Sequence, residues 1–170
     1  MTSHRGVADV QQWGCAALGL LAADHPPNKA AIKAAGGPEA VVAALRAHPR
    51  AVDVQEDGCD ALRILASDTP TAAAIAAAGG HEAVIAALRA HPSFVDLQED
   101  GCGALGVLAR GHGSRSNIAT AGGVDVVVAA LKAHPDEAGV QVSARGGRRG
   151  VGGWLAGGGG GRAPRMCNRQ

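Results

Sequence analysis

One period governs this chain. Aligned on the apolar residue that precedes a glutamine, residues 10–53, 54–96 and 97–139 are three copies of one unit, 44, 43 and 43 residues long. They open VQQWGCAALGLLA, VQEDGCDALRILA and LQEDGCGALGVLA. Cys15, Cys59 and Cys102 coincide, as do Gly36, Gly79 and Gly122, and His48, His91 and His134. A chain with such a period builds by stacking like units, each covering a face its neighbour cannot bury alone. The period also changes what every motif means. A cysteine that returns three times at one register is a packing position before it is a reactive one. A fourth unit opens with Val140 and Gln141 and then departs from the pattern.

Each unit predicts three helices. The first lies around 28–35, 71–78 and 114–121 and ends at a Gly-Gly pair, where glycine can take the left-handed conformation that closes a helix. The second spans roughly 38–48, 82–91 and 124–134 and is stopped by the proline after each histidine. Those histidines sit at the negative end of the helix dipole and are expected to be solvated. The third helix contains QEDGC. Asp53 with Glu56, and Asp96 with Glu99, have the spacing of a capping box, and Asp9 with Gln12 supplies the pair in the first copy. Val54, Gly58, Leu62, Leu65 and Ala66 share one face of this helix, with Cys59 beside it.

Composition agrees with closely packed helices. The hydrophobic fraction is 46%, yet the chain has one Phe, two Trp and no Tyr, so its apolar content is nearly all small or aliphatic. Alanine is the best helix former. No apolar run is long enough for a membrane span, and the N-terminus lacks the apolar stretch of a signal peptide. The four cysteines are therefore expected as reduced thiols and the location as cytoplasmic, with the nucleus as the alternative. The net charge of +1 conceals two regions. Six of the sixteen basic residues lie in 140–170, which has no acid, so residues 1–139 carry ten basic against fifteen acidic groups.

Catalytic readings fare poorly against the period. A cysteine paired with His48 or His91 could form a nucleophile, but an active site needs one such pair and the sequence repeats it. Equivalent residues in stacked units lie on the order of 10 Å apart, too far for Cys15, Cys59 and Cys102 to converge on zinc. The Gly-Gly pairs follow helices and lack the Gly-Lys-Ser/Thr of a phosphate loop. No catalytic residue, metal or cofactor is expected, and the chain reads as a non-enzyme.

The order N/S-x-x-x-I-x-x-A-G-G, then V-x-x-A-L, then V-Q-x-x-G-C-x-A-L-x-x-L-A resembles the armadillo repeat over residues 10–139. HEAT repeats are the nearest rival, but they lack the Gly-Gly break. The resemblance implies an all-α fold, a right-handed α-solenoid whose third helices line a concave surface for a partner peptide or protein. The third helix of a first repeat covers 10–23, repeats follow at 28–67 and 71–110, and a partial repeat at 114–139. The importin-α type of Trp/Asn ladder is absent: Ala16 and Leu20, Asp60 and Ile64, and Gly103 and Val107 stand at those positions. The expected partner-facing residues are Gln12, Ala16, Glu56, Asp60, Arg63, Glu99 and Gly103, an acidic row suited to a basic or mixed-charge peptide. Trp13 is expected to pack where a preceding repeat would stand.

Residues 140–170, with RGGRRG at 145–150, are expected to be a disordered tail or the product of a shifted reading frame. Their Arg-Gly-Gly cluster supplies the alternative reading, an RNA-associated protein acting through the tail. With two complete units, the chain is expected to be part of a longer array or to self-associate through its open ends.

Overall fold

The computed structural model describes residues 6–111 and 113–144. Every regular element among them is an α-helix: α1 (Ala8–Ala22), α2 (Pro26–Ala34), α3 (Gly37–Ala47), α4 (Val52–Leu65), α5 (Thr69–Ala77), α6 (Gly80–Ala90), α7 (Val95–Leu108), α8 (Ser114–Thr120), α9 (Gly123–Ala133) and α10 (Ala138–Ala144). The expectation of an all-α protein built from helix triplets holds. No single helix among the described residues is long and apolar enough to cross a membrane.

The repeats stack helix on equivalent helix. The most extensive contacts run α1 to α4, α4 to α7 and α7 to α10, so the third helices form one continuous layer. Second helices pack in parallel sequence, α3 on α6 and α6 on α9, and each also supports the third helix of its own repeat. Cys59, Ala61, Leu62 and Leu65 of α4 are fully buried, and Leu97, Ala104 and Leu108 are equally so in α7. The face predicted from Val54, Gly58, Leu62, Leu65 and Ala66 is buried throughout. Each leucine so buried stabilises the stack by about 2 kcal/mol relative to exposure.

Glycine does two separate jobs at the bend between first and second helices. Gly36, Gly79 and Gly122 have φ of 75°, 76° and 82°, the left-handed region that a side chain resists. The glycine that follows allows close approach. A Cβ on Gly80 would lie 2.9 Å from the Ile75 carbonyl oxygen, with Gly37 and Gly123 in the same position against Ile32 and Ile118.

Two expectations are corrected by the geometry. The third helices begin two residues earlier than the capping box requires, at N-caps Val7, Ala51 and Phe94, none of which makes a side-chain cap bond. Asp9, Asp53 and Asp96 therefore lie inside the first turn, where their charge favours the positive helix end without capping it. Side-chain caps form instead at first helices: Asp68 at α5, whose Oδ1 accepts from the Thr71 backbone N–H at 2.9 Å, and His25 at α2, whose Nδ1 accepts from the Asn28 backbone N–H at 3.2 Å. Second, the histidines that end the second helices bond across the repeats. The Nε2–H of His91 donates to the Pro49 carbonyl and that of His134 to the Pro92 carbonyl, both at 2.8 Å.

The boundary drawn at residue 139 falls within α10, which carries the helical body through Ala144. Val140 is fully buried there, as Val54 and Leu97 are at the equivalent positions. The expectations of RNA binding and of a shifted frame concern residues 140–170, of which 145–170 lie outside the described residues.

Candidate interaction surface on the third helices

Buried glutamines fix the third helices against the second. Gln55 Nε2 donates to the carbonyls of Leu45 and His48, both at 2.9 Å. Gln98 does the same to Leu88 and His91, and Gln141 to Leu131 and His134, all at 3.0 Å. These are carbonyls that a helix C-terminus leaves without an intrahelical donor. One amide thus satisfies two acceptors and sets the rotation of the third helix about its axis. The residue after each glutamine, Glu56 or Glu99, is half-buried, and the Glu99 carboxylate lies against Gly139 at the start of α10.

Gly58 and Gly101 let the same helices come close. A Cβ on Gly58 would lie 2.5 Å from Leu45 Cδ2, and one on Gly101 2.6 Å from Leu88 Cδ2.

Of the residues expected to face a partner, Gln12, Ala16, Glu56, Asp60, Arg63, Glu99 and Gly103 are all half-buried, on successive third helices. The structure brings three of them into one constellation. Arg63 pairs with Asp60 one turn back and reaches across to Asp100 of the next repeat, Nε to Oδ1 3.3 Å. Gly103 leaves room for the arginine stem, since a Cβ there would stand 2.7 Å from Arg63 Cδ. Gln12 hydrogen-bonds Asp57 across the α1–α4 seam. Asp57 and Asp100 were not singled out from the sequence. The signal was present in the shared QED triplet, but helical spacing alone does not say which acid of the three meets the neighbouring repeat.

The electrostatics of this row are strained toward neutrality. Burial raises the pKa of Asp57, with Asp60 and Asp53 adding to the rise and the Gln12 bond opposing it. Burial also raises Glu99, with Arg63 pulling the other way. Asp100 is pushed well up by burial and then by Asp60, against the pull of Arg63. For Arg63 burial works against the charge, but Asp60 and Asp100 outweigh it and raise its pKa. The Arg63 guanidinium pairs with Asp60 and Asp100 and opposes the rise of Glu99, while Glu56 adds to the rise of Asp100.

The cysteines lie behind this surface. Cys15, Cys59 and Cys102 are free thiols, all buried. Burial, with a contribution from Asp57, pushes the Cys15 thiol up to about 12, and burial pushes Cys102 to about 11. Cys59 is raised well above its ordinary value, chiefly by burial and next by Asp100. Thiols held this far from ionisation are poor nucleophiles and poor metal ligands. Among the described residues no three His, Cys, Asp or Glu side chains converge as a metal site would need. A gap of ≈ 220 Å³ between α3 and α6 is lined by Leu45, Arg46, Pro49, Gln55, Ala83, Ala86 and Ala87, and the one amide in that set is committed to backbone carbonyls.

No family model, curated protein or solved structure matches this chain. The functional reading therefore rests on the repeat and on the surface it presents.

Proposed function

We propose that this chain is a non-enzymatic scaffold of armadillo-like repeats, a right-handed α-solenoid that holds an extended peptide of basic or mixed charge along its third helices. The observation that carries this reading is the row across α1, α4 and α7, in which Arg63 pairs with Asp60 and Asp100 amid the further acids Glu56, Asp57 and Glu99. Third helices that pack directly on one another set their outward residues in a line one helix diameter apart, on the order of 10 Å. A chain lying across that line meets a new rung every three residues or so, given about 3.3 Å of reach per extended residue. A cationic side chain entering between Asp60 and Asp100 would share their charge with Arg63 and relieve the repulsion among the acids. Gln12, Glu56 and Glu99 flank the place where it would lie, and Ala16 and Gly103 keep the floor low.

The test is fluorescence anisotropy with randomised extended peptide pools rich in arginine and lysine, and with acidic pools as control. Binding of the basic pools alone, weakened by salt and by Glu56→Gln with Glu99→Gln, is the expected result. Failure of every basic pool, or binding indifferent to those two substitutions, would remove the peptide-groove reading.

A further inference from the structure

Between Asp9 and Asp24 the sequence has no charged residue, and α1 lies almost wholly inside that stretch. The third helices that follow differ: α4 carries Glu56, Asp57, Asp60 and Arg63, and α7 carries Glu99 and Asp100. On the side of α1 away from α4, Val10, Trp13, Ala17, Leu20 and Leu21 recur at the three- and four-residue spacing of one helical stripe. All five are exposed, Trp13 at 57% and Leu20 at 77%. At the positions of Ala17 and Leu21 the interior helices hold Ala61 and Leu65, then Ala104 and Leu108, all fully buried. Ala61 is covered by α1 itself, whose Gly19 lies against it.

The chemistry of the stripe says what covers it. At the position of Trp13 the interior helices hold Asp57 and Asp100, each answered by a polar side chain of the third helix before it, Gln12 and Arg63. Trp13 has no use for such a partner. It needs an apolar surface with room for an indole, and α1 itself offers one. In an antiparallel pair of α1 helices centred near Cys15, Trp13 of each copy stands over Ala17 of the other, and Val10 over Leu20. Large then meets small beside the centre, and aliphatic meets aliphatic toward the ends. A two-fold contact sets a face against itself, so any charge on it meets its like; this stripe carries none. Third helix on third helix is also the mode of the most extensive contacts inside the molecule. We infer that a second copy of this chain covers the stripe, α1 packing antiparallel on α1 across a two-fold axis. The contact is isologous and closes at a dimer. One helix face about 22 Å long lies at the small end of specific interfaces, which places the dimer in the micromolar range. The inference stands apart from the peptide-binding reading, whose acids lie on α4 and α7.

Sedimentation velocity on the full 170-residue chain, from about 1 to about 300 µM, tests it in the range where modest interfaces associate. The sedimentation coefficient is expected to rise with concentration to that of a dimer and to stop there. Trp13→Glu should weaken association tenfold or more. The side chain is exposed, so helicity by circular dichroism should not change; Ala17→Glu, also exposed, serves in its place if it does. Val128→Glu, on α9 away from α1, should leave association as it is. Val10→Lys and Leu20→Glu should each weaken the dimer, and their equimolar mixture should associate more strongly than either alone. Antiparallel pairing sets the introduced lysine against the introduced glutamate. A wild-type chain that stays monomeric throughout overturns the inference, as does growth beyond a dimer. So does association indifferent to Trp13→Glu, or a mixture no stronger than its components, which would mean that α1 does not face α1 in this sense.

Discussion

His134 donates its Nε2–H to the carbonyl of Pro92, 42 residues earlier, at 2.8 Å, and His91 makes the same bond to Pro49. The ring that ends one second helix therefore ties down the turn that ended the previous one. This bond runs along the stack, between the loops, where the apolar layers do not reach. His91→Ala is expected to cost about 1 kcal/mol, the usual net worth of one such bond. Urea denaturation followed by circular dichroism measures it. A loss within error of zero would mean that water replaces the imidazole without penalty.

The buried glutamines should matter more. Gln55→Ala removes two bonds at once and strands the Leu45 and His48 carbonyls beneath α4, leaving a void beside them. The expected loss is about 2–4 kcal/mol, counting the unpaired acceptors. Gln12→Ala, at the half-buried outer edge, is the comparison and should lose no more than about 1 kcal/mol, the worth of its single bond to Asp57. Equal losses at the two positions would show that the α3 carbonyls find other donors.

The period made the helices, the Gly-Gly turns and the buried face of α4 legible, because each depends on spacing within one repeat. The cross-repeat bonds depend on how far one unit is displaced from the next, which spacing does not encode. His91 and Arg46 belong to this second kind, while Gln55, which ties α4 to α3 inside one repeat, depends on how the helices of a unit turn against each other. Recurrence marked each of them, yet a recurring polar residue on a helix is also compatible with a solvated edge. The capping box failed for a related reason. Once Gln55 is tied to the end of α3, the chain must already be helical at Val52, and Asp53 is drawn into the first turn. The residues expected to face a partner are half-buried on successive third helices, but the Arg63–Asp100 pair across α4 and α7 was not foreseen.

Gly58→Ala should be more harmful than its exchange suggests. Alanine is the better helix former, yet here its Cβ would stand 2.5 Å from Leu45 Cδ2. Overpacking at such a seam costs about 1–3 kcal/mol, and the Gly101 equivalent against Leu88 should behave alike. A stabilised Gly58→Ala variant, by thermal melt, would show that α3 and α4 can part without loss.

Native thiol reactivity is expected to be absent at three positions. Cys15 and Cys102 are held at about 12 and about 11, and Cys59 is buried with a raised pKa beside them. Alkylation with iodoacetamide near pH 8, located by mass spectrometry, should spare all three until the chain is unfolded. Rapid labelling of Cys59 under native conditions would contradict the packed seam between α4 and α7.

His81 carries a cost that the equivalent positions of the neighbouring repeats avoid. The side chain is buried at the start of α6, and its Nε2 has no hydrogen-bond partner among the protein atoms. The equivalents are Pro38 and Val124, neither of which has a polar side chain to satisfy. Burial lowers the His81 pKa from its ordinary 6.5, with Glu82 opposing the change. The folded state thus binds fewer protons than the unfolded state below that value. Its contribution to stability is complete above pH 6.5 and declines as the pH falls through the lowered folded pKa. The raised carboxylates Asp57, Glu99 and Asp100 act with the opposite sign. They bind protons more readily when folded, so their contribution improves as the pH drops through their raised values. His81→Val should therefore raise stability at pH 7 by about 1 kcal/mol, by removing an unsatisfied buried polar atom. It should also flatten the loss of stability just below pH 6.5 and leave the carboxylate-dependent gain at lower pH. Melting temperatures of both proteins across pH 4–8 separate the two effects. A variant whose profile parallels the wild type at all pH values would show that His81 does not titrate across unfolding.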